Sequence, residues 1–594
     1  MPSVPGDSPI WWLARRFFGR DRYRFYEEED DFRSQIGSPG WDQYFDTLQI
    51  SSGNSTSPSS INESNPDPLC LTLCNGTQGI DALENKVTAS EPQSEVDCTS
   101  SLERGACDGD SGRKLMVVGW YGESDPANPI NWPLWKKGLV ILTINFTAFV
   151  VYMASAIYTP SQPGIQSEFN ISATASSLGL GIFVIGYGTG SLFWSPVSEI
   201  PAVGRNGPYA PTLVVFLILS VPTALSTDFG MLLAFRFLQG FFGSPVLSTG
   251  GASLGDIADP YTKPYSLYTW AISAFAGPSV GTIIAGFTVP RFGWRWGLWE
   301  ILIVVSPALV LLLFLPETSA PTILYRRAKL IRQLTGSHSY VARSEIESGN
   351  VTLMTWFYGY LVIPWKINLL DPSIMFTSVY SGLTYAIFLS MFEFFPMVYG
   401  DIYGMTPGEI GLVLICNIVA TIVAGVPYLA FVYYKVNPSV KQGRPMSPEH
   451  RLLPAVIGSL LVPAGIFMFG WTSRPSIHWM VPTIGALFST AGFVVILQSI
   501  FVYITLAYPT FAASLFAGNG FIKGLVACGG ILWSHPLYQR LGLSKGMSVL
   551  GALCVACIAG TLILRSRGQA STTGWTGCCG EVGVWKQSID TKGG

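Results

Sequence analysis

Glu393, Glu300, Asp256, Arg236 and Lys523 all stand inside or beside long apolar runs, where a charge is costly and seldom idle. Glu393 sits in FLSMFEFFPMVYG, Glu300 in WRWGLWEILIVV and Asp256 in GGASLGDIADP. A carboxyl within a membrane can take up and release a proton, so Glu393, and after it Glu300, are the proton-coupling candidates. The plainer reading of each acid is a structural ion pair or a helix cap, and capping suits Asp256 best. Arg236 lies in MLLAFRFLQGFFGSPVLSTGG. A guanidinium in hydrocarbon costs from about 2.5 kcal/mol upward, so it must face a partner or a water-filled cavity, or else snorkel. Lys523, four residues after Asn519 in FAGNGFIKGLVACGG, has three uses open to it: substrate contact, an anionic partner, or snorkelling.

Two further stretches carry mechanical chemistry. SPVSEIPAVGRNGPY, residues 195–209, brings Glu199, Gly204 and Arg205 into one turn between apolar runs. A carboxylate ending one helix and a guanidinium opening the next can hydrogen-bond neighbouring helix ends, forming a conformational latch. The alternative is a solvated turn. In ISAFAGPSVGTIIAG, residues 272–286, Gly277-Pro278 removes a backbone hydrogen bond and predicts a kink. Gly281 and Gly286 there allow a second helix to come close. Tyr187, Tyr385, Asn519 and Lys523 are candidates for the wall of a central cavity, with Tyr152, Trp270, Phe275 and Phe388 as further aromatic lining.

Positioning these residues takes helices that cross about 30 Å of hydrocarbon, about 20 apolar residues each. The sequence predicts spans near 138–158, 174–194, 207–226, 230–251, 265–288 and 294–315. Six more follow near 372–395, 408–434, 452–471, 479–505, 510–533 and 545–564. The expected organisation is a largely disordered tail over 1–133, a six-helix half over 134–315, a loop over 316–371, a second half over 372–564 and a tail over 565–594. Composition agrees: the chain is 49% apolar and 12% charged, about half the charge of a soluble domain. A net charge of −2 speaks against a nucleic-acid partner.

Lys136, Lys137, Arg326, Arg327, Lys329 and Arg444 fall on one predicted side, whereas the other receives Arg291, Arg295, Arg474, Arg540 and Lys545. The positive-inside rule then puts both termini in the cytoplasm. Asn54, Asn62, Asn75 and Asn350 become internal, leaving Asn170 in FNIS as an outward-facing glycosylation candidate. Cys70, Cys74, Cys98 and Cys107 fall in the polar tail, and Cys554 and Cys557 read as packing residues rather than a redox pair. His338, His450, His478 and His535 fall on predicted loops. No metal, no cofactor and no nucleophile–base set is expected, so the chain does not read as an enzyme.

The 195–209 turn resembles the signature loop of the major facilitator superfamily, G-x-L-x-D-[RK]-x-G-R-[RK], with Ser195 for the first Gly, Glu199 for Asp and a gap two residues longer before Gly204-Arg205. Arg236 and Gly240 match the superfamily's R-x-x-x-G, which implies an Arg involved in proton transfer. Gly277, Pro278 and Gly281 match three positions of the G-x-x-x-G-P-x-x-G-G element of its proton-coupled exporters, with Ser273 and Thr282 replacing two glycines. NPINWPLWKK, FLPETSAPTILYRRAKLIRQLTG, PEHRL and RPSIHWMVP resemble, in order from about 120 to about 560, the fungal twelve-span drug:proton antiporters of the benomyl and fluconazole resistance branch. That family usually carries Arg-Ser where this chain has Lys523-Gly524. The resemblance implies an all-α membrane protein of two six-helix halves, exporting lipophilic small molecules such as drugs, azole-like toxicants or secondary metabolites in exchange for protons. A plasma-membrane monomer is expected, in contact with lipid, cargo and protons. A nutrient importer of the same superfamily, working as a proton symporter, is the runner-up; a receptor or scaffold that transports nothing is the reading from another class.

Overall fold

The computed structural model describes residues 8–10, 15, 45–49, 114–348, 362–443, 447–507 and 512–574. Asn54, Asn62, Asn75, Asn350, Arg444, the four tail cysteines and the ending after 574 lie outside the described residues. Two compact units emerge, one holding residues 1–23, 126–323 and 350–594, the other 24–125 and 324–349.

The first unit is helical. Without water to bond to, a backbone inside hydrocarbon must satisfy its own N–H and C=O groups, and apolar runs of this length do so as helices. Among the described residues twelve helices are long and apolar enough to cross a membrane. Its first half holds α1 (Leu134–Ala156), α2 (Ala173–Glu199), α3 (Asn206–Ala224), α4 (Phe229–Asp256), α5 (Lys263–Phe292) and α6 (Trp294–Leu313). The second holds α7 (Pro372–Phe395), α8 (Ile415–Phe431), α9 (Leu453–Thr472), α10 (Met480–Ala507), α11 (Ala512–Leu541) and α12 (Leu543–Gly574). Each predicted span has its helix, with ends that coincide or differ by up to about ten residues. α1 continues through the turn Thr159–Ser161 into a short helix, Gln162–Phe169. Another, Pro407–Val413, precedes α8 behind a capping box in which Thr406 and Glu409 bond each other's backbone.

Small residues set the packing. A Cβ at Gly240 would lie 2.9 Å from the Tyr187 nitrogen and 3.1 Å from Gly186 Cα, so α2 and α4 touch backbone to backbone. The halves meet along two seams, α2 against α11 and α5 against α8 and its preceding helix.

The second unit departs from the expectation of a plain tail and loop. β2 (Lys114–Val118) pairs antiparallel with β1 (Phe45–Gln49), Phe45 opposite Val118. It pairs parallel with β3 (Tyr340–Ala342), Met116 opposite Tyr340. Val118, Ala328, Ile331, Tyr340 and Ala342 bury one another. Arg327, on the helix Ala320–Thr335, pairs with Asp125 at 2.7 Å and lies 4.1 Å from the Tyr121 ring. The strands are short and their partners remote in sequence, so no local alternation announces them.

Candidate functional site

A cavity of about 280 Å³ opens between the halves. Along α2 its wall is Tyr187, Ser191, Ser195 and Glu199, one residue per turn from mid-helix to the helix end. Asp256, Lys263 and Arg205 join Glu199 at that end; Tyr152, Trp270, Phe501, Asn519 and Lys523 surround the other. A narrow extension reaches Phe275 and Tyr385. Four predicted cavity residues, Tyr187, Tyr385, Asn519 and Lys523, therefore do converge. Their engagements differ. Asn519 donates to Ser378 Oγ at 3.2 Å and Ser381 Oγ at 3.0 Å, tying α11 to α7. Lys523 Nζ lies 4.7 Å from the Tyr385 ring centroid and 5.8 Å from that of Phe501. The Tyr187 and Tyr385 hydroxyls approach across the halves, without the geometry of a hydrogen bond at Tyr187.

At the opposite end the halves are closed on Glu393, which is 2% exposed. Its Oε1 accepts from Gln162 Nε2 at 2.8 Å, and its Oε2 accepts from Ser177 Oγ at 2.6 Å. His535 Nε2 lies 3.4 Å from Oε2, an ion pair whenever the imidazole is protonated. A carboxyl of α7 is thus held by two first-half side chains and one from α11. His535 corrects the expectation that the histidines sit on loops: Pro536 reads as a helix stop, yet α11 runs on to Leu541. Gln162 and Ser177 carried no signal either, since uncharged polar residues are common in spans.

Arg236 is fully buried. Its Nη1 donates to the Ala154 carbonyl at 2.8 Å, and its guanidinium lies 4.7 Å from the Tyr158 ring, whose hydroxyl donates to the Ser176 carbonyl at 2.8 Å. It does not snorkel, and among the described residues its Nε and Nη2 find no hydrogen-bond partner. Glu300 is 5% exposed, with Thr288 beside its carboxyl. It is not part of the cavity wall.

The 199–206 turn is held by a residue the sequence reading passed over. Glu317, fully buried, accepts from the backbone N–H of Arg205 at 3.0 Å and of Asn206 at 3.3 Å, placing its charge at the N-terminus of α3. Arg205 pairs with Asp256 at 3.5 Å and Glu199 at 3.9 Å, and donates to Ser198 Oγ at 3.1 Å. Burial alone would lower the Arg205 pKa, but Asp256 and Glu199 outweigh it and raise it above the ordinary value. Glu317 follows α6, and the other partners lie in the first half. Gly204 has φ +76°, and a Cβ there would strike the Glu317 carboxylate.

Gly277 and Gly281 seat α5 on α1: their added Cβ atoms would lie 2.5 Å from the Phe149 carbonyl and 2.7 Å from Met153 Cγ. α5 is one continuous helix through Pro278. Asn170 is exposed at the end of the helix Gln162–Phe169, with φ 51°. No cluster of three or more His, Cys, Asp or Glu side chains able to hold a metal occurs among the described residues.

Residues 144–530 match the family described as Major Facilitator Superfamily. The chain is 46% identical to the MFS-type transporter pyvG of Aspergillus violaceofuscus, over 77% of this chain and 84% of that one. It is 39% identical to the cycloheximide resistance protein of Candida maltosa (75% and 82% covered) and 33% identical to fluconazole resistance protein 1 of Saccharomyces cerevisiae (81% and 90%). The fold matches the proton:xylose symporter XylE with a TM-score of 0.53 at 13% identity, covering 73% of this chain and 96% of that one. Relatives named for efflux and drug resistance favour export over nutrient uptake. The chain is an integral membrane protein whose membrane-crossing part is all α-helical, and it belongs to the major facilitator superfamily.

Proposed function

We propose that this protein exports lipophilic small molecules from the cytoplasm across the plasma membrane in exchange for protons, as a monomer and not as an enzyme. The observation that carries this reading is the closure on Glu393: an acid of α7 clasped by Gln162 and Ser177 of the other half and by His535 of α11. With the 199–206 turn and both termini on the cytoplasmic side, as the Lys and Arg bias requires, the cavity is open inward and sealed outward. Cargo from the cytoplasm or the inner leaflet fills it. The halves then rock about the midplane, Gln162 and Ser177 leave Glu393, and cargo departs outward. Water now reaches the carboxyl and imidazole, and the pair takes up a proton from outside. Closure carries that proton inward.

The energetics suffice. One charge falling through 100 mV supplies about 2.3 kcal/mol, enough for an accumulation ratio of about fifty for a neutral cargo. Arg236, bonded to the α1 carbonyl of Ala154 and stacked on Tyr158, fixes the α1–α2 connection that presents Gln162 and Ser177. Glu300 is the reserve proton site. Glu199, Gly204 and Arg205 brace the first half at the cytoplasmic side, and the Gly277, Pro278 and Gly281 stretch keeps α5 close on α1.

The test is efflux of radiolabelled cycloheximide and fluconazole from cells expressing the chain, with and without a protonophore. Retention should fall on expression and recover with the protonophore; retention indifferent to both removes the reading. A fluorescent fusion imaged at the cell periphery checks the location.

A further inference from the structure

We infer that the cargo is a lipophilic monoanion, an organic acid whose carboxylate or enolate is held by Lys523; this rests on the export reading above. Lys523 projects from the middle of α11 into the cavity, and among the described residues no carboxylate lies within ion-pair distance of it. The acids of the cavity wall, Glu199 and Asp256, sit at its cytoplasmic end, each beside Arg205. Glu393 lines neither the cavity nor its extension and is engaged by Gln162, Ser177 and His535. An ammonium within a span is expensive unless something answers its charge. Here, among the described residues, the faces of Tyr385 and Phe501 lie near it, a partial answer.

Two aromatic residues of the same wall flank that ammonium's space. The Tyr187 hydroxyl is buried beside that of Tyr385, and the Trp270 indole N–H is buried against Gly250. Lys523 therefore borders the inner part of the cavity, while the acids Glu199 and Asp256 stand at its cytoplasmic end beside Arg205. A cargo with an anionic group answers the ammonium; a cationic cargo meets Lys523 with no carboxylate within ion-pair distance. Polyamines are thereby disfavoured. The aromatic remainder of the wall takes the oily body of the acid. Sites built around unmet donors reject analogues that lack the acceptor far more strongly than apolar pockets reject a missing methylene.

The experiment titrates the purified full chain with three probes sharing one body: biphenyl-4-carboxylate, its methyl ester and 4-(aminomethyl)biphenyl. The acid should bind at least tenfold tighter than the ester, with the amine weakest. Lys523→Met should abolish that preference, and an unchanged thermal unfolding midpoint reports an intact fold. Lys523→Arg should keep it within threefold. An ester or amine binding as tightly as the acid, a Lys523→Met variant that keeps the preference, or no binding of any probe overturns the inference. The same proteins in proteoliposomes under an imposed proton gradient separate the two ideas. Lys523-dependent acid binding without gradient-driven movement of any probe leaves this inference standing and ends the export reading. Gradient-driven movement of the ester without acid preference does the reverse.

Discussion

Glu393 has three neighbours that can donate a hydrogen bond, and removing its charge should separate coupling from movement. In Glu393→Gln proteoliposomes, gradient-driven transport should fall at least tenfold, whereas exchange of labelled for unlabelled cargo at equal pH persists. Loss of both would make the residue structural. Gly204 makes a different prediction. Its φ of +76° strains any other residue, and its missing Cβ is where the Glu317 carboxylate sits. Gly204→Ala should lower stability by about 1–3 kcal/mol, read as an earlier thermal unfolding midpoint in detergent. Glu393 could be found in the sequence because an acid in an apolar run is conspicuous. Glu317 could not: it follows the last hydrophobic turn of its half, where acids are ordinary, and its role appears only when α3 is brought beside it.

Among the elements, the seam between α5 and the helix Pro407–Val413 depends on bare backbone. A Cβ on Gly286 would lie 2.6 Å from the Pro407 carbonyl, and one on Gly411 2.8 Å from Ile283 Cα. Gly286→Leu should therefore hold the halves apart on the Glu393 side and shift the population toward an outward-open state. A cysteine at Ser177 should then react faster with a membrane-impermeant maleimide than it does beside the native glycine. The twelve spans were legible because crossing hydrocarbon imposes a length and a composition that no loop satisfies. The sheet was not legible. Met116 meets Tyr340 only after the chain has traversed the six spans of the first half, and three- to five-residue strands leave no periodicity to read.

For the molecule as a whole, the proposed cycle requires α2 and α11 to part. A Cβ built on Gly181 lies 3.7 Å from Cys528 Cβ and 2.8 Å from its sulfur, within the span of a disulfide. Gly181→Cys should cross-link to native Cys528 under mild oxidation and stop transport, with activity restored by reductant. Cross-linking that leaves transport intact would mean the halves do not separate along this seam. The small sheet has a consequence for anyone shortening the protein. β2 is its central strand and Asp125 answers the buried Arg327, so trimming everything before residue 126 removes far more than a dispensable leader. The shortened polypeptide would keep all twelve crossings yet bare Ala328, Ile331, Tyr340 and Ala342 beside an unpaired strand edge, a sticky surface that invites aggregation.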